Sequence, residues 1–416
     1  MQSRRVFLKS GALALVTLGF APSFLARTVE AAGARRKLLI AIFQRGAVDG
    51  LNMVVPFGEP EYYRVRPSIA IPQPGREGGA LDLDGFFGLH PRMETLAPLW
   101  AAGHLAIVHA SGSPDATRSH FDAQDYMESA TPGVKSTRDG WLNRYLQARA
   151  DEREEARNPL RGVAITRQMP RALQGPAPSL AIGSVASFDV HGGTAERASF
   201  EAAYASAADQ VLNGTAGEAF QAMRTLERTR AGARPSPSRD AGYPSSPFGQ
   251  ALQEIASLAK SDVGLEIAFA ESTNWDHHVN EGSATGQLAN RLDDLSRGIA
   301  ALVRDLGDRM ADTLIVTMSE FGRAVSENGS RGTDHGHGNA MFVIGGSVKG
   351  GRVYGKWPGL APEQRYERRD LAITTDFRDV FAEVVTRHLG ASTDVANRVF
   401  PGFRLEASRF KNIVHG

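Results

Sequence analysis

No cysteine occurs in the 416 residues, so the chain cannot rely on disulfides and must be held by its core. Excess charge of one sign is also missing. Lysine and arginine total 47 against 46 acidic residues, a formal net charge of +1, which gives no electrostatic case for nucleic acid or an anionic membrane surface. Long apolar runs are missing as well. The stretch "GALALVTLGF" at 11–20 falls short of the roughly 20 residues that span a bilayer. No internal repeat is visible.

What is present begins with an address. "MQSRRVFLKS" carries Ser-Arg-Arg-x-Phe-Leu-Lys, the short apolar stretch follows, and small residues stand at Ala31 and Ala32. A charged start, a brief apolar core and a small-residue exit describe a signal peptide over 1–31. The paired Arg4 and Arg5 make it a twin-arginine signal, read by export machinery that moves folded proteins to the periplasm or beyond. Its removal takes net charge to −2, because four of the five charged residues lost are basic. No stable membrane span is expected after cleavage. About 385 residues then remain, enough for one large core, read as a single domain over 32–416.

Seven short apolar runs read as buried strands: "KLLIAIF", "HLAIVHA", "GVAIT", "SLAIG", "GLEIAFA", "DTLIVTM" and "AMFVIGG". They are continuous rather than alternating, as expected of strands covered on both faces. "QLANRLDDLSRGIAALVRDLG" places leucines at helical spacing and stops at Gly307; "TTDFRDVFAEVVTRHLG" repeats the pattern, with Thr374 or Thr375 as cap and Gly390 at its end. The alternation predicts an α/β fold, doubly wound, with a mostly parallel sheet and helices on both faces. Residues 196–250 break the rhythm and read as a helical and loop insertion that could cap a site.

Ligands in such sheets lie beyond the carboxyl ends of the strands. The segments there carry Arg45, Asp49 and Asn52; Thr117, Arg118, Ser119 and His120; Asp276, His277 and His278; Glu320 and Arg323; and, in "GTDHGHGN", Asp334, His335 and His337. Mixed carboxylates and imidazoles suit zinc or a similar divalent ion, since oxygen-only sites favour magnesium or calcium. A hydroxyl at a helix start faces backbone N–H groups that favour an anion. Arg118 and Arg323 could clamp a tetrahedral anion. Each piece has a plainer reading. Asp49-Gly50 also suits a turn, Ser119 a helix cap, Asp276–His278 a surface turn, and Glu320 a pair with Arg323. His90, His104, His109, His191, His388 and His415 read as structural or surface residues. Gly332, Gly336 and Gly338 are read as freeing the backbone for close approach to a metal or anion.

"RGAVDGLN", "SHFDAQDYMES", "NWDHHVN", "SEFGRA", "GTDHGHGNAMFVIGGSVKGGRVYG" and "TTDFRDVFAEVV" together resemble the exported bacterial family DUF1501, over nearly all of the mature chain. That family looks like a branch of the alkaline phosphatase and sulfatase superfamily, whose members hydrolyse phosphate or sulfate esters at a metal site. The resemblance implies Asp49, Asp276, His278, Glu320 and His335 as metal ligands for one or two ions, zinc first, with manganese, magnesium or calcium as other candidates. It implies Ser119, with Thr117 as rival, as the nucleophile. Arg118 would assist it, and Arg45, Asn52 and Arg323 would bind the substrate, a small or polymeric ester. Phe321 stands where the superfamily has a histidine ligand; Asp334, His337, His120 or His277 are the candidate replacements. The formylglycine route of sulfatases looks closed, because Pro114 occupies the nucleophile position counted back from Arg118. The expected activity is a metal-dependent hydrolase of phosphate-type esters, sulfate esters being less favoured. The rivals are a non-catalytic metal-binding or assembly protein on the same fold, and a phospho-group transferase or isomerase.

Overall fold

The computed structural model describes residues 36–150, 158–183 and 241–415. The signal-peptide reading, His191 and most of the 196–250 insertion lie outside them. Chain order is β1 (Leu38–Gln44), a small antiparallel sheet of β2 (Val54–Val55), β3 (Leu81–Asp82) and β4 (Gly88–Leu89), then β5 (Leu105–Gly112), β6 (Gly162–Ala164), β7 (Leu180–Ala181), β8 (Ile267–Ser272), β9 (Thr313–Met318), β10 (Asn339–Gly345), β11 (Arg352–Tyr354) and β12 (Thr375–Asp376). The large sheet has nine strands in the order β11-β5-β10-β9-β1-β8-β6-β7, with β12 pairing β5.

Beta-branched and leucine-rich runs form these strands because both faces are covered. In β1, Leu38, Ile40 and Ile42 enter one core and Leu39, Ala41 and Phe43 the other. The first core is closed by helices Pro247–Lys260 and Gln287–Leu306; the second by Trp141–Ala150, Phe377–Glu383 and Thr393–Val399. The architecture is therefore the doubly wound α/β fold that the apolar runs predict. No helix among the described residues is long and apolar enough to cross a membrane.

Strand β10 is the exception in direction. It pairs antiparallel with both β5 and β9, whereas the β1–β8, β1–β9, β6–β7 and β6–β8 pairs are parallel. The reversal brings the residues before β10 to the same sheet edge as the residues after β1, β5, β8 and β9. That is how a loop preceding a strand joins loops that follow strands.

One cap differs from expectation. Asp376, not Thr374 or Thr375, caps helix Phe377–Glu383, its Oδ1 accepting from the Arg378 amide at 2.9 Å, because Thr375 belongs to β12 and pairs with Ser111. The helix then widens into a π turn over Val384–His388, ending before Gly390 at φ +67°.

Candidate metal centre

Side chains from three strand ends meet. His120 opens helix His120–Ser129 after β5, Asp276 follows β8, and His335 precedes β10. His120 Nε2 lies 3.0 Å from His335 Nε2 and 3.5 Å from Asp276 Oδ2, and His335 Nε2 is 3.4 Å from Asp276 Oδ1. The two carboxylate oxygens each face one imidazole, and one ligand atom from each residue lies within 4.8 Å of the other two, a group that could hold a metal ion. Two imidazoles and a carboxylate form a donor set suited to zinc-like ions. His278 stands beside them, its Nδ1 2.9 Å from Asp276 Oδ1.

The remaining atoms of these side chains are held from behind. Glu320 Oε1 meets His120 Nδ1 at 2.8 Å and also accepts from the Gly46 amide and Gln124 Nε2, each at 2.8 Å. His335 Nδ1 donates to the Arg118 carbonyl at 2.9 Å, which leaves Nε2 as the acceptor nitrogen. Arg323 Nη2 donates to Asp276 Oδ1 at 2.6 Å. The segment 321–324 pairs with 334–337 through Gly322 N to His337 O and Ala324 N to Asp334 O, both 2.9 Å, which fixes His335 opposite Arg323. Such partners fix the tautomer and ring direction of a ligating histidine.

Electrostatics follow the contacts. The Glu320 hydrogen bond raises the His120 pKa, and burial lowers that of His335. Burial opposes ionisation of Glu320, yet hydrogen bonds from His120 and Gln124 keep its carboxyl below the usual range. Burial likewise works against Asp276, but Arg323 and the imidazoles outweigh it.

Several residues implied by the resemblance are placed elsewhere. Glu320 sits behind His120 rather than among the three converging atoms. Asp49 is gripped by the buried Arg66 through both oxygens, and its Oδ1 also caps the Leu51 amide at 3.2 Å. Burial and Asp49 together push the Glu281 carboxyl well up, while Arg66 overcomes burial to hold Asp49 down. Asp334 accepts from Asn328 Nδ2 at 3.0 Å, and His337 stacks on Tyr366 with centroids 4.2 Å apart. Burial takes the pKa of His337 and of His277 down to about 4. Of the four candidate replacements, His120 is the one that reaches Asp276 and His335. Phe321 packs against both rings, 4.9 Å from His120 and 5.0 Å from His335.

The proposed anion clamps are also engaged. Arg45 meets Glu271 at 2.7 Å and Glu128 at 2.9 Å; Arg118 meets Asp370 at 2.6 Å and Glu367 at 2.7 Å. Arg323 is buried and spends its remaining donors on the carbonyls of Gly46, Ala47, Trp275 and Thr333. Asn52 is buried against Tyr62, Arg66 and the Ile69 carbonyl. Ser119 is exposed at the N-cap of helix His120–Ser129 and makes no side-chain capping bond; Thr117 Oγ1 accepts from its amide at 3.2 Å. Gly332 and Gly336 serve close packing against protein: a Cβ on either would lie 2.3 Å from the His278 carbonyl carbon or 2.2 Å from that of Arg323. Gly338 packs likewise, a Cβ there lying 2.7 Å from the Leu371 carbonyl oxygen.

His120 is the residue that motif reading ranked too low. Its signal was position, the first residue of a helix directly after a strand end, shared with a neighbouring serine.

No curated protein matches the chain. Among solved structures, the PsFucS1 sulfatase from Pseudoalteromonas sp. is similar at 13% identity and a TM-score of 0.41, over 93% of this chain and 74% of that one, a likeness too slight to argue from. A family model described as "Protein of unknown function (DUF1501)" matches residues 99–398, a span containing His120, Asp276 and His335, and the chain belongs to that family.

Proposed function

We propose that the chain is a metal-dependent hydrolase of phosphate-type esters, with His120, Asp276 and His335 holding one zinc-like ion. The observation that supports this reading most is the meeting of His120 Nε2, Asp276 and His335 Nε2, each held from behind. A bound divalent cation would supply positive charge for displacement at a tetrahedral anionic ester. Ser119 would be the attacking hydroxyl, a role supported by its adjoining His120, its exposure and its lack of a capping bond. Its oxygen would form the new bond to phosphorus while the bond to the leaving alcohol breaks, the serine proton ending on that alcohol; water would then cleave the phosphoserine and release free phosphate. The helix start presents backbone N–H groups to the non-bridging oxygens, in place of Arg45 and Arg118, which are paired with carboxylates.

That pairing favours a second reading, a non-catalytic metal-binding protein, because Arg45, Arg118 and Arg323 all carry an acidic partner. Zinc-loaded protein should be assayed on phosphate monoesters, phosphodiesters and sulfate esters, beside Ser119→Ala. The hydrolase reading expects released phosphate, abolished in the variant with metal content intact. A fully active variant sinks Ser119 as nucleophile, and an inactive but metal-loaded wild type overturns the hydrolase reading.

Export rests on residues 1–31 alone. Replacing Arg4 and Arg5 by lysine should leave unprocessed chain inside the cell, and unaltered periplasmic yield would refute a twin-arginine route.

A further inference from the structure

A cavity of about 650 Å3 opens at the carboxyl ends of β6 and β8, within the range of roughly 300–1,000 Å3 typical of small-molecule sites. Thr166 beyond β6, and Ser272, Thr273 and Asn274 at the end of β8, form one wall. Asn274 precedes the ligand Asp276 by two residues, so their Cα atoms are at most about 7.6 Å apart. Arg291 and Asp294, on helix Gln287–Leu306, line the cavity as well. The cavity therefore borders the segment that carries the ligand Asp276.

The lining states what fits. Glu271 shares Arg45 with the buried Glu128, at 2.7 and 2.9 Å, so this pair leaves no surplus positive charge. The formal charges of Arg167 and Arg291 are matched by Glu254 and Asp294. The cavity thus offers no net attraction to an anion, and an apolar group would have to strip water from charged walls. A neutral group bearing many hydroxyls is the complement, since each hydroxyl both donates and accepts and the walls hold both kinds of partner. Ile165 and Phe248 add the small apolar area against which the C–H face of a sugar ring packs.

We propose that this cavity binds a neutral saccharide unit. Its role as the alcohol part of the ester rests on the hydrolase reading above; the binding itself does not. An array of neutral oligosaccharides, with uronate-bearing sugars and aryl alcohols alongside, should be screened against the full chain, and hits titrated by calorimetry. Neutral sugars should bind wild type and His335→Ala alike. Binding should be at least about tenfold weaker in Gln250→Trp, which fills the cavity from an exposed helix position. Thr273→Trp fills it from the other wall and serves if the first variant fails to fold. No bound neutral sugar, a preference for uronates or aryl alcohols, or unchanged binding in the filled variants would each overturn the proposal. Sugar binding without hydrolysis of any ester leaves the cavity assigned and removes the hydrolase reading; hydrolysis without sugar binding does the reverse.

Discussion

Glu320 Oε1 lies 2.8 Å from His120 Nδ1, which makes the buried carboxylate a support for an imidazole and leaves Nε2 to face Asp276 and His335. Glu320→Gln keeps the shape but removes the charge behind His120. Zinc affinity, read by competition with a chelating dye, should fall about 10- to 100-fold while thermal melting of the metal-free protein changes little. Unchanged affinity would remove Glu320 from any role in orienting His120.

The ligand set makes a division testable by metal analysis. His120→Ala, Asp276→Ala and His335→Ala should each lose the single bound ion on dialysis. Asp334→Ala and His337→Phe should keep it, because Asp334 is bonded to Asn328 and His337 is stacked on Tyr366. A second ion per chain, lost in Asp49→Asn, would restore Asp49 as a ligand and contradict its assignment to Arg66.

Arg66 and Asp49 form a fully desolvated pair, both buried, with the Ala324 and Val325 carbonyls taking further donors of Arg66. Arg66→Met leaves a buried carboxylate without its counter-charge. The cost should be roughly 3–5 kcal/mol in urea denaturation at pH 7. A loss below about 1 kcal/mol, the scale of a surface pair, would show that Asp49 is solvated or protonated.

His90 and His109 are held as neutral rings. In each, Nδ1 accepts a backbone amide, from Arg92 or Ala110, and Nε2 meets a carbonyl, of Ser283 or Val54. Burial lowers both pKa values to about 4. Below the unfolded value of about 6.5 the unfolded chain therefore binds protons that the folded chain refuses. Stability should be full above about pH 6.5 and fall as pH drops towards 4, by on the order of 3 kcal/mol per ring. Denaturant melts between pH 7 and 4.5 should show a shallower decline in His109→Gln; an equal slope would acquit His109.

The apolar runs and leucine spacing were enough to specify seven of the twelve strands, the long helix Gln287–Leu306 and the doubly wound sheet, because burial on both faces demands those patterns; the two- and three-residue strands β2, β3, β4, β11 and β12 left no such run. They also placed carboxylates and imidazoles at strand ends. Chain spacing carries no record of which of these meet. Glu320 and Asp49 occupy the right segments, yet a neighbouring imidazole and a buried guanidinium claim them. His120 reaches Asp276 and His335 because three loops from distant parts of the chain converge, and His335 joins them because β10 runs against its neighbours. Local pattern determined the elements and the residue types at the sheet's edge. The choice of ligand among those residues was made by strand direction and by competition between buried charges, both long-range properties that only the tertiary structure fixes.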